Sequence, residues 1–278
     1  MDMTFGCDPE LIFFSKDKQY IAPLRAVRST RYYEPPDSYH FEEGGVELHP
    51  NPVTHPKDGP TSISEALKDV RKALVSSKIK IGATAFNYLG RSNGGHIHIR
   101  TDLLSRAADI YKVCNGIAYL TILGNKDSCY RRLDTYGGVF SYRTPIGVLP
   151  GIVNYTRNTR NTWEFRSPTP DWLAYPELIV ATYKFVQELV KKATKVQNIM
   201  FYAVSPTGDT LYESELVSTK HFADMKDFIR KNGYTDLRNF LKTDIGITQE
   251  LLDTFDSYAK RLRRQRAARG YPVVEVRV

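Results

Sequence analysis

The stretch "NGGHIHIR", residues 93–100, sets two histidines one residue apart in a run that alternates polar with apolar side chains. Read as a strand, it changes face with a period of two, so His96, His98 and Arg100 share one face while Ile97 and Ile99 share the other. Taken alone, such a strand needs no more explanation than a solvated or hydrogen-bonded imidazole pair. Its meaning depends on whether other strands repeat the pattern.

Three of them do. "GCDPEL" places Asp8 two residues from Glu10, "GGVELHP" places Glu47 two from His49, and "TWEFRSP" places Glu164 two from Arg166. The intervening Pro9, Leu48 and Phe165 are apolar, so each strand has an apolar back and a charged front. The expected product is an antiparallel sheet whose back packs on helices while its front gathers carboxylates, imidazoles and guanidiniums. Gly and Pro flank each pair, which predicts that the charged pairs lie near strand ends.

Further β-like runs, "LIFFS", "KIKIGATAF" and "GGVFSYR", fill the chain up to about residue 170. Two helices interrupt them. One is expected near 62–76, opened by a Ser62–Glu65 capping box and faced by Ile63, Leu67, Val70 and Leu74. The other is expected near 105–123, faced by Ala107, Ile110, Tyr111, Cys114 and Ile117. From about residue 172 the pattern is helical, with Leu178, Phe185 and Leu189 marking a long helix and Phe222, Met225 and Ile229 a shorter one. "YPVVEVRV" reads as a closing strand. No internal repeat or low-complexity linker divides the chain. The fold class expected is α+β, one domain over 1–278, sheet-rich over 1–172 and mainly helical over 173–278.

Composition narrows the function classes. With 278 residues, 41% hydrophobic and 25% charged, the chain is an ordinary globular one with a sizeable core. There is no apolar run of about 18 residues, and "MDMTFGCDPE" has no basic segment followed by a hydrophobic one. A soluble, cytoplasmic protein without a membrane partner is expected. Cys7, Cys114 and Cys129 lack C-x-x-C spacing, which argues for reduced thiols and against a zinc–cysteine site. Alternation turns Cys7 away from Asp8 and toward the packed side, which argues against a covalent role.

The net charge of +8 favours anionic partners. Much of the excess lies in "KRLRRQRAAR", residues 260–269, which continues an amphipathic pattern of Leu251, Leu252, Phe255, Tyr258 and Leu262. A helix end explains it, with a nucleic-acid-binding tail as the lesser alternative.

Acids joined by histidine form a ligand set for hard divalent cations, magnesium or manganese, while the H-x-H pair with a carboxylate leaves catalytic zinc open. A second, cationic group comprises Arg143, Arg157, Arg160 and Arg166, in a stretch dense in Asn, Thr and Tyr. Arginine forks grip phosphate bidentately. Metal-holding acids and phosphate-holding arginines are the parts of a nucleotide-dependent transfer site. No glycine-rich phosphate loop of the G-x-x-x-x-G-K-[ST] or G-x-G-x-x-G kind occurs, so metals and arginines would have to hold the phosphate.

In order, "GCDPELIF", "GGVELHPNP", "GGHIHIR" and "TWEFRSPTPDW" resemble the motifs of the phage-type carboxylate–amine ligases, a branch of the glutamine synthetase and glutamate–cysteine ligase superfamily. The resemblance covers residues 4–172. It implies an antiparallel sheet forming a funnel, with ATP entering at one end and acceptor substrates at the other. It also implies magnesium ions that help activate a carboxylate as an acyl phosphate, which an amine then attacks. By the same resemblance, Asp8 and Glu10 match the paired metal-binding acids, Glu47 the next acid, His96 or His98 the histidine ligand, and Glu164 the late acid. Arg166 matches the arginine beyond it, and Arg157 and Arg160 the phosphate-contacting arginines, with His98 beside the ATP phosphates. Catalysis is expected of Glu10, Arg143, Glu164 and Arg166.

Asp-Pro-Glu replaces the Glu-x-Glu of glutamine synthetase, and the chain is short beside those enzymes, so substrate and assembly do not carry over. A small-molecule, amino-acid or peptide carboxylate and amine are the expected substrates. Tyr142, Asp134 and His49 are candidate bases for the amine. A metal-dependent hydrolase using His96 and His98 would be active without nucleotide. A nucleic-acid-binding accessory protein would lose salt-sensitive binding when its basic tail is removed.

Overall fold

Period-two alternation along residues 4–14 produces β1 (Thr4–Phe14), the spine of the sheet. Phe5, Cys7 and Leu11 are buried behind it, while Thr4, Gly6, Asp8 and Glu10 are half-buried on the front. Beyond Glu10 the alternation gives way to burial on both faces, with Ile12 and Phe14 packing on Val273. The computed structural model describes residues 3–17, 20–27, 37–42, 44–87, 89–104, 109, 112–113, 116–124, 140–143, 162–166, 168–196, 234–270 and 272–278.

The other described strands are β2 (Tyr20–Ile21), β3 (Tyr39–Glu42), β4 (Gly45–Leu48), β5 (Lys80–Ala83), β6 (Gly95–Arg100), β7 (Phe140–Arg143), β8 (Thr162–Phe165) and β9 (Val274–Glu275). Together with β1 they form one sheet in the order β3-β4-β1-β6-β8-β7, with β2 and β5 paired to the end of β1 and β9 paired to β5. Each strand pairing is antiparallel. Among the described residues, the α-helices with full bounds are the one-turn α1 (Pro23–Ala26), then α2 (Gly59–Ala73), α3 (Pro176–Ala193), α4 (Tyr234–Phe240) and α5 (Gln249–Arg269). The α+β class and the closing strand within "YPVVEVRV" are as the sequence predicts.

One apolar core joins the back of the sheet to the helices. Ile97, Ile99 and Phe165 from the strands pack with Ile63, Leu67 and Val70 of α2, Leu178, Phe185 and Leu189 of α3, and Leu252, Phe255 and Leu262 of α5. Phe5 stacks on Tyr183 of α3 with ring centroids 5.4 Å apart. Burial of these side chains is the main force holding the charged strands in register, because a one-residue slip would turn the apolar set to the front.

Four expectations need correction or restriction. The first helix begins four residues earlier than the capping box implies, with Asp58 at its N-cap, Pro60 in its first turn and no side-chain cap. Ser62 Oγ instead donates to the Asn51 carbonyl at 2.6 Å and ties the helix to the segment after β4. The second expected helix falls partly outside the described residues, and its described end, Ala118–Leu123, is a 3-10 helix. The shorter helix around Phe222, Met225 and Ile229 lies outside the described residues.

Asp8 and Glu10 sit in the middle of β1 rather than near a strand end. Pro9 can occupy this central position because its missing N–H falls in a gap. Phe5 bonds Val53 through both its N–H and its C=O, and Glu10 N–H bonds Gly94 on the opposite edge. Alternation then turns Pro9 toward the Val53 edge, where the β4 ladder stops at the Glu10–Glu47 pair.

The start of β6 is fixed by a backbone crossing. Gly95 N–H donates to the Pro168 carbonyl at 2.9 Å, and Trp172 Nε1–H donates to the Gly95 carbonyl at 3.0 Å. A Cβ on Gly95 would lie 2.6 Å from the Thr169 backbone, so the "TPDW" segment can pass only over a glycine.

Candidate active site

The register of the sheet decides which charged groups meet. Asp8 pairs with His96 across β1 and β6, and His98 pairs with Glu164 across β6 and β8. Glu10 pairs with Glu47 across β1 and β4, and Glu47 pairs with His40 across β4 and β3. Residues directly opposite in an antiparallel pair share a face. The front of the sheet therefore carries a continuous row running from His40 through Glu47, Glu10 and Asp8 to the histidines and Glu164.

At one end of the row, His96 Nδ1 and His98 Nε2 lie 2.9 and 3.1 Å from Asp8 Oδ1. His96 Nδ1 is also 3.5 Å from Glu164 Oε1, and Arg166 Nη1 donates to that same oxygen at 2.7 Å. His96 and Glu164 are almost fully buried, 3% and 1% exposed. Burial alone would raise the Asp8 pKa, but the positive charge on His98 and the contacts from both imidazoles outweigh it and hold Asp8 well below the usual carboxylate range. Asp8, His98 and Glu164 each offer a ligand atom, all within 4.8 Å of one another.

A second group lies beside the first. Glu10, Glu42 and Glu47 also bring one oxygen each within 4.8 Å of the others. Gly94 N–H donates to Glu10 Oε2 at 2.9 Å and orients that carboxylate. Burial, then the negative charges of Asp8, Glu42 and Glu10, push Glu47 up to about 9. Beyond it opens a cleft of about 750 Å³ bounded by Glu10, His40, Glu42, Phe86 and Arg91.

The donor chemistry fits divalent cations. Asp8 Oδ1 is buried and accepts no well-aligned hydrogen bond although two ring nitrogens are close to it, as expected of a ligand oxygen pointing into a shared focus. Three carboxylates crowded at Glu10, Glu42 and Glu47 repel one another until a cation or proton intervenes.

Of the sequence-predicted residues, Asp8, Glu10, Glu47, His96, His98, Glu164 and Arg166 come together on this face. Arg157 and Arg160 lie outside the described residues, as does the side chain of Arg143, whose backbone ends β7 opposite Thr162. Of the candidate bases, Asp134 and the Tyr142 side chain also lie outside them. His49 contacts Glu47 at 3.2 Å. Cys7 faces the core, where burial pushes its thiol up to about 12.

The sequence reading missed His40 and Glu42. "HFEEGGVELH" mirrors H-x-E against E-x-H around a glycine turn, and period-two pairing about that turn sets His40 opposite Glu47. A Cβ on Gly45 would lie 1.8 Å from the Leu11 carbonyl oxygen, so this turn reaches β1 only through glycine.

The chain aligns over most of its length with several solved structures. "Apo GmaS without ligand" is 12% identical, with a TM-score of 0.45, covering 96% of this chain and 69% of that one. A bifunctional glutathione synthetase from Pasteurella multocida is 14% identical with a TM-score of 0.39, and the match covers 96% of this chain and 49% of that one. The complex of prokaryotic ubiquitin-like protein Pup with its ligase PafA is 11% identical with a TM-score of 0.35, covering 95% and 69%. No curated protein matches the sequence. The sequence does match a family model over residues 5–254, from β1 to the start of α5, and on that match the chain belongs to the phage phiEco32-like COOH.NH2 ligase-type 2 family of carboxylate–amine ligases.

Proposed function

We propose that this ligase is ATP-dependent and joins an amino-acid or peptide carboxylate to an amine through an acyl phosphate. The observation that carries the reading is the pair of ligand groups side by side on one sheet face, Asp8–His98–Glu164 and Glu10–Glu42–Glu47, joined by the two acids of β1. Magnesium or manganese held by these groups would neutralise phosphate charge.

The substrate carboxylate oxygen attacks the γ-phosphorus, and ADP leaves with the bridging oxygen. The amine then adds to the acyl carbon, inorganic phosphate departs with its oxygen, and the amine proton is lost to a base. The chain's own task is mostly positioning and charge compensation. Asp8 stays ionised beside its two imidazoles, Gly94 fixes the Glu10 carboxylate, and Arg166 adds positive charge next to Glu164. In this reading His98 is the histidine ligand and His96, deeper in the sheet, orients Asp8. Arg143, Arg157 and Arg160 complete the phosphate grip.

The test is a screen of amino-acid and peptide pairs for amine-dependent ADP release in magnesium. Glu10→Ala is expected to lower turnover by roughly three orders of magnitude or more. Amide formation that proceeds without nucleotide, or survives in Glu10→Ala, would overturn the reading.

A further inference from the structure

The β3–β4 hairpin carries a third group of different chemical character. His40 projects from β3, Glu47 from β4 opposite it, and His49 follows the end of β4. We propose that His40, Glu47 and His49 form a binding site for a borderline divalent cation of the zinc class, distinct from the hard-cation groups and connected to them through Glu47.

Geometry is the first support. His40 Nδ1 and His49 Nε2 are 3.1 Å apart, and His49 Nε2 is 3.2 Å from Glu47 Oε1. Tetrahedral zinc at 2.0–2.1 Å from its ligands requires ligand-to-ligand edges of about 3.3 Å. Both contacts are within a few tenths of that edge.

The orientation of the His49 ring is the second support. Its Nδ1 faces the Asp37 carbonyl oxygen at 3.2 Å, a partner that can only accept. Nδ1 therefore carries a hydrogen, and Nε2 is the nitrogen turned toward His40 Nδ1 and Glu47 Oε1. A ring N–H donated to a backbone carbonyl is also the usual brace for a metal-binding imidazole.

Donor type sets the class of ion. Two imidazoles with one carboxylate suit zinc and its neighbours, whereas Glu10, Glu42 and Glu47 offer oxygen alone and suit magnesium. The His40 and His49 side chains are 43% and 40% exposed, so an ion can enter and retain an open coordination position. The backbone is already set: His40 pairs with Glu47, and His49 N–H donates to the Ser38 carbonyl at 2.6 Å. Glu47 belongs to both groups, so a zinc-class ion here draws its carboxylate away from Glu10 and Glu42. Inhibition of magnesium-dependent turnover follows, a consequence that rests on the proposed ligase function.

The test uses the full chain, stripped with a chelator and titrated calorimetrically with Zn²⁺ while Mg²⁺ is in large excess. Co²⁺ is titrated in parallel and followed by its visible absorption. One Zn²⁺ per chain is expected to survive the excess magnesium, with a tetrahedral cobalt spectrum. His40→Ala and His49→Ala should each weaken it by roughly tenfold or more, while Asp8→Asn leaves it in place. Zinc affinity unchanged in the His40→Ala/His49→Ala double variant, or lost in Asp8→Asn, would overturn the site. Because the readout is zinc itself, loss of binding in the histidine variants upholds the site even if the protein takes no ATP.

Discussion

Glu47 divides its carboxylate between Glu10 and Glu42 on one side and His40 and His49 on the other. With its pKa pushed up to about 9 from an ordinary 4.5, it holds a proton in the folded chain that the unfolded chain has already released. Its contribution to stability is complete below about pH 4.5 and is lost as pH rises through about 9. Metal-free protein is therefore expected to melt lower at pH 9 than at pH 6, and Glu47→Gln, which cannot ionise, should flatten that dependence. Thermal melts at both pH values check this, and an unchanged slope in Glu47→Gln would contradict it. Asp8 has the opposite sign: its depressed pKa contributes stability above its unfolded value, and that contribution is lost as acid protonates it. Cys7, buried and with its thiol raised to about 12, is expected to resist iodoacetamide in the native protein and react only on unfolding, as mass spectrometry of the labelled peptide would show. At this scale the sequence was most informative where alternation was strict. Asp8, Glu10, Glu47, His98 and Glu164 could be placed on one face by counting in twos. His40 and Glu42 escaped because seeing them requires pairing two runs across a turn, not reading one run along its length.

Elements are held by close approaches that their own patterns only hint at. The "HIHIR" alternation announces β6, but what fixes its position is the crossing of the Pro168–Trp172 segment over Gly95. Gly95→Ala is expected to cost about 1–3 kcal/mol through overpacking and to weaken the metal binding proposed for His98 as the strand shifts. Denaturant titration and metal calorimetry on one variant test both, and a wild-type midpoint would contradict the crossing as the cause. At the far end of α5, Arg266 is buried, bonds Asp171, and donates to the Leu123 carbonyl at 2.9 Å. Removing one partner of a buried pair typically costs about 3–5 kcal/mol. Arg266→Ala should approach that loss, far more than Arg264→Ala on the exposed face. The charge run gave no sign of this division. Composition counts arginines, whereas burial depends on which of them the 3.6-residue period turns inward. The same limit explains the misplaced start of α2: a Ser–Glu spacing fits a capping box, but Pro60 allows an earlier turn and leaves Ser62 to bond elsewhere.

Across the whole molecule, the helical part completes the sheet-rich part. Leu252, Phe255 and Leu262 of α5 share the core with Ile97 and Ile99, and β9 adds itself to β5. Arg261 lies 4.0 Å over the Tyr175 ring, so even part of the basic run is spent on packing. The C-terminal run is thus a docked helix and not a free arm. Deleting residues 249–278 is expected to abolish cooperative unfolding rather than merely weaken binding to an anionic partner, as circular dichroism melts would reveal. The sequence carried the α+β class and the charged front because both follow from local period and order of motifs. The arginines expected to grip phosphate could be named from sequence, but Arg157, Arg160 and the Arg143 side chain lie outside the described residues. If acids of one sheet face hold the metals through which nucleotide binds, calorimetric titration of a nonhydrolysable ATP analogue with and without magnesium, into the native protein and Glu10→Ala, will show it. Binding that requires magnesium and disappears in Glu10→Ala is the expected result. Binding that is indifferent to magnesium, or intact in Glu10→Ala, would contradict it.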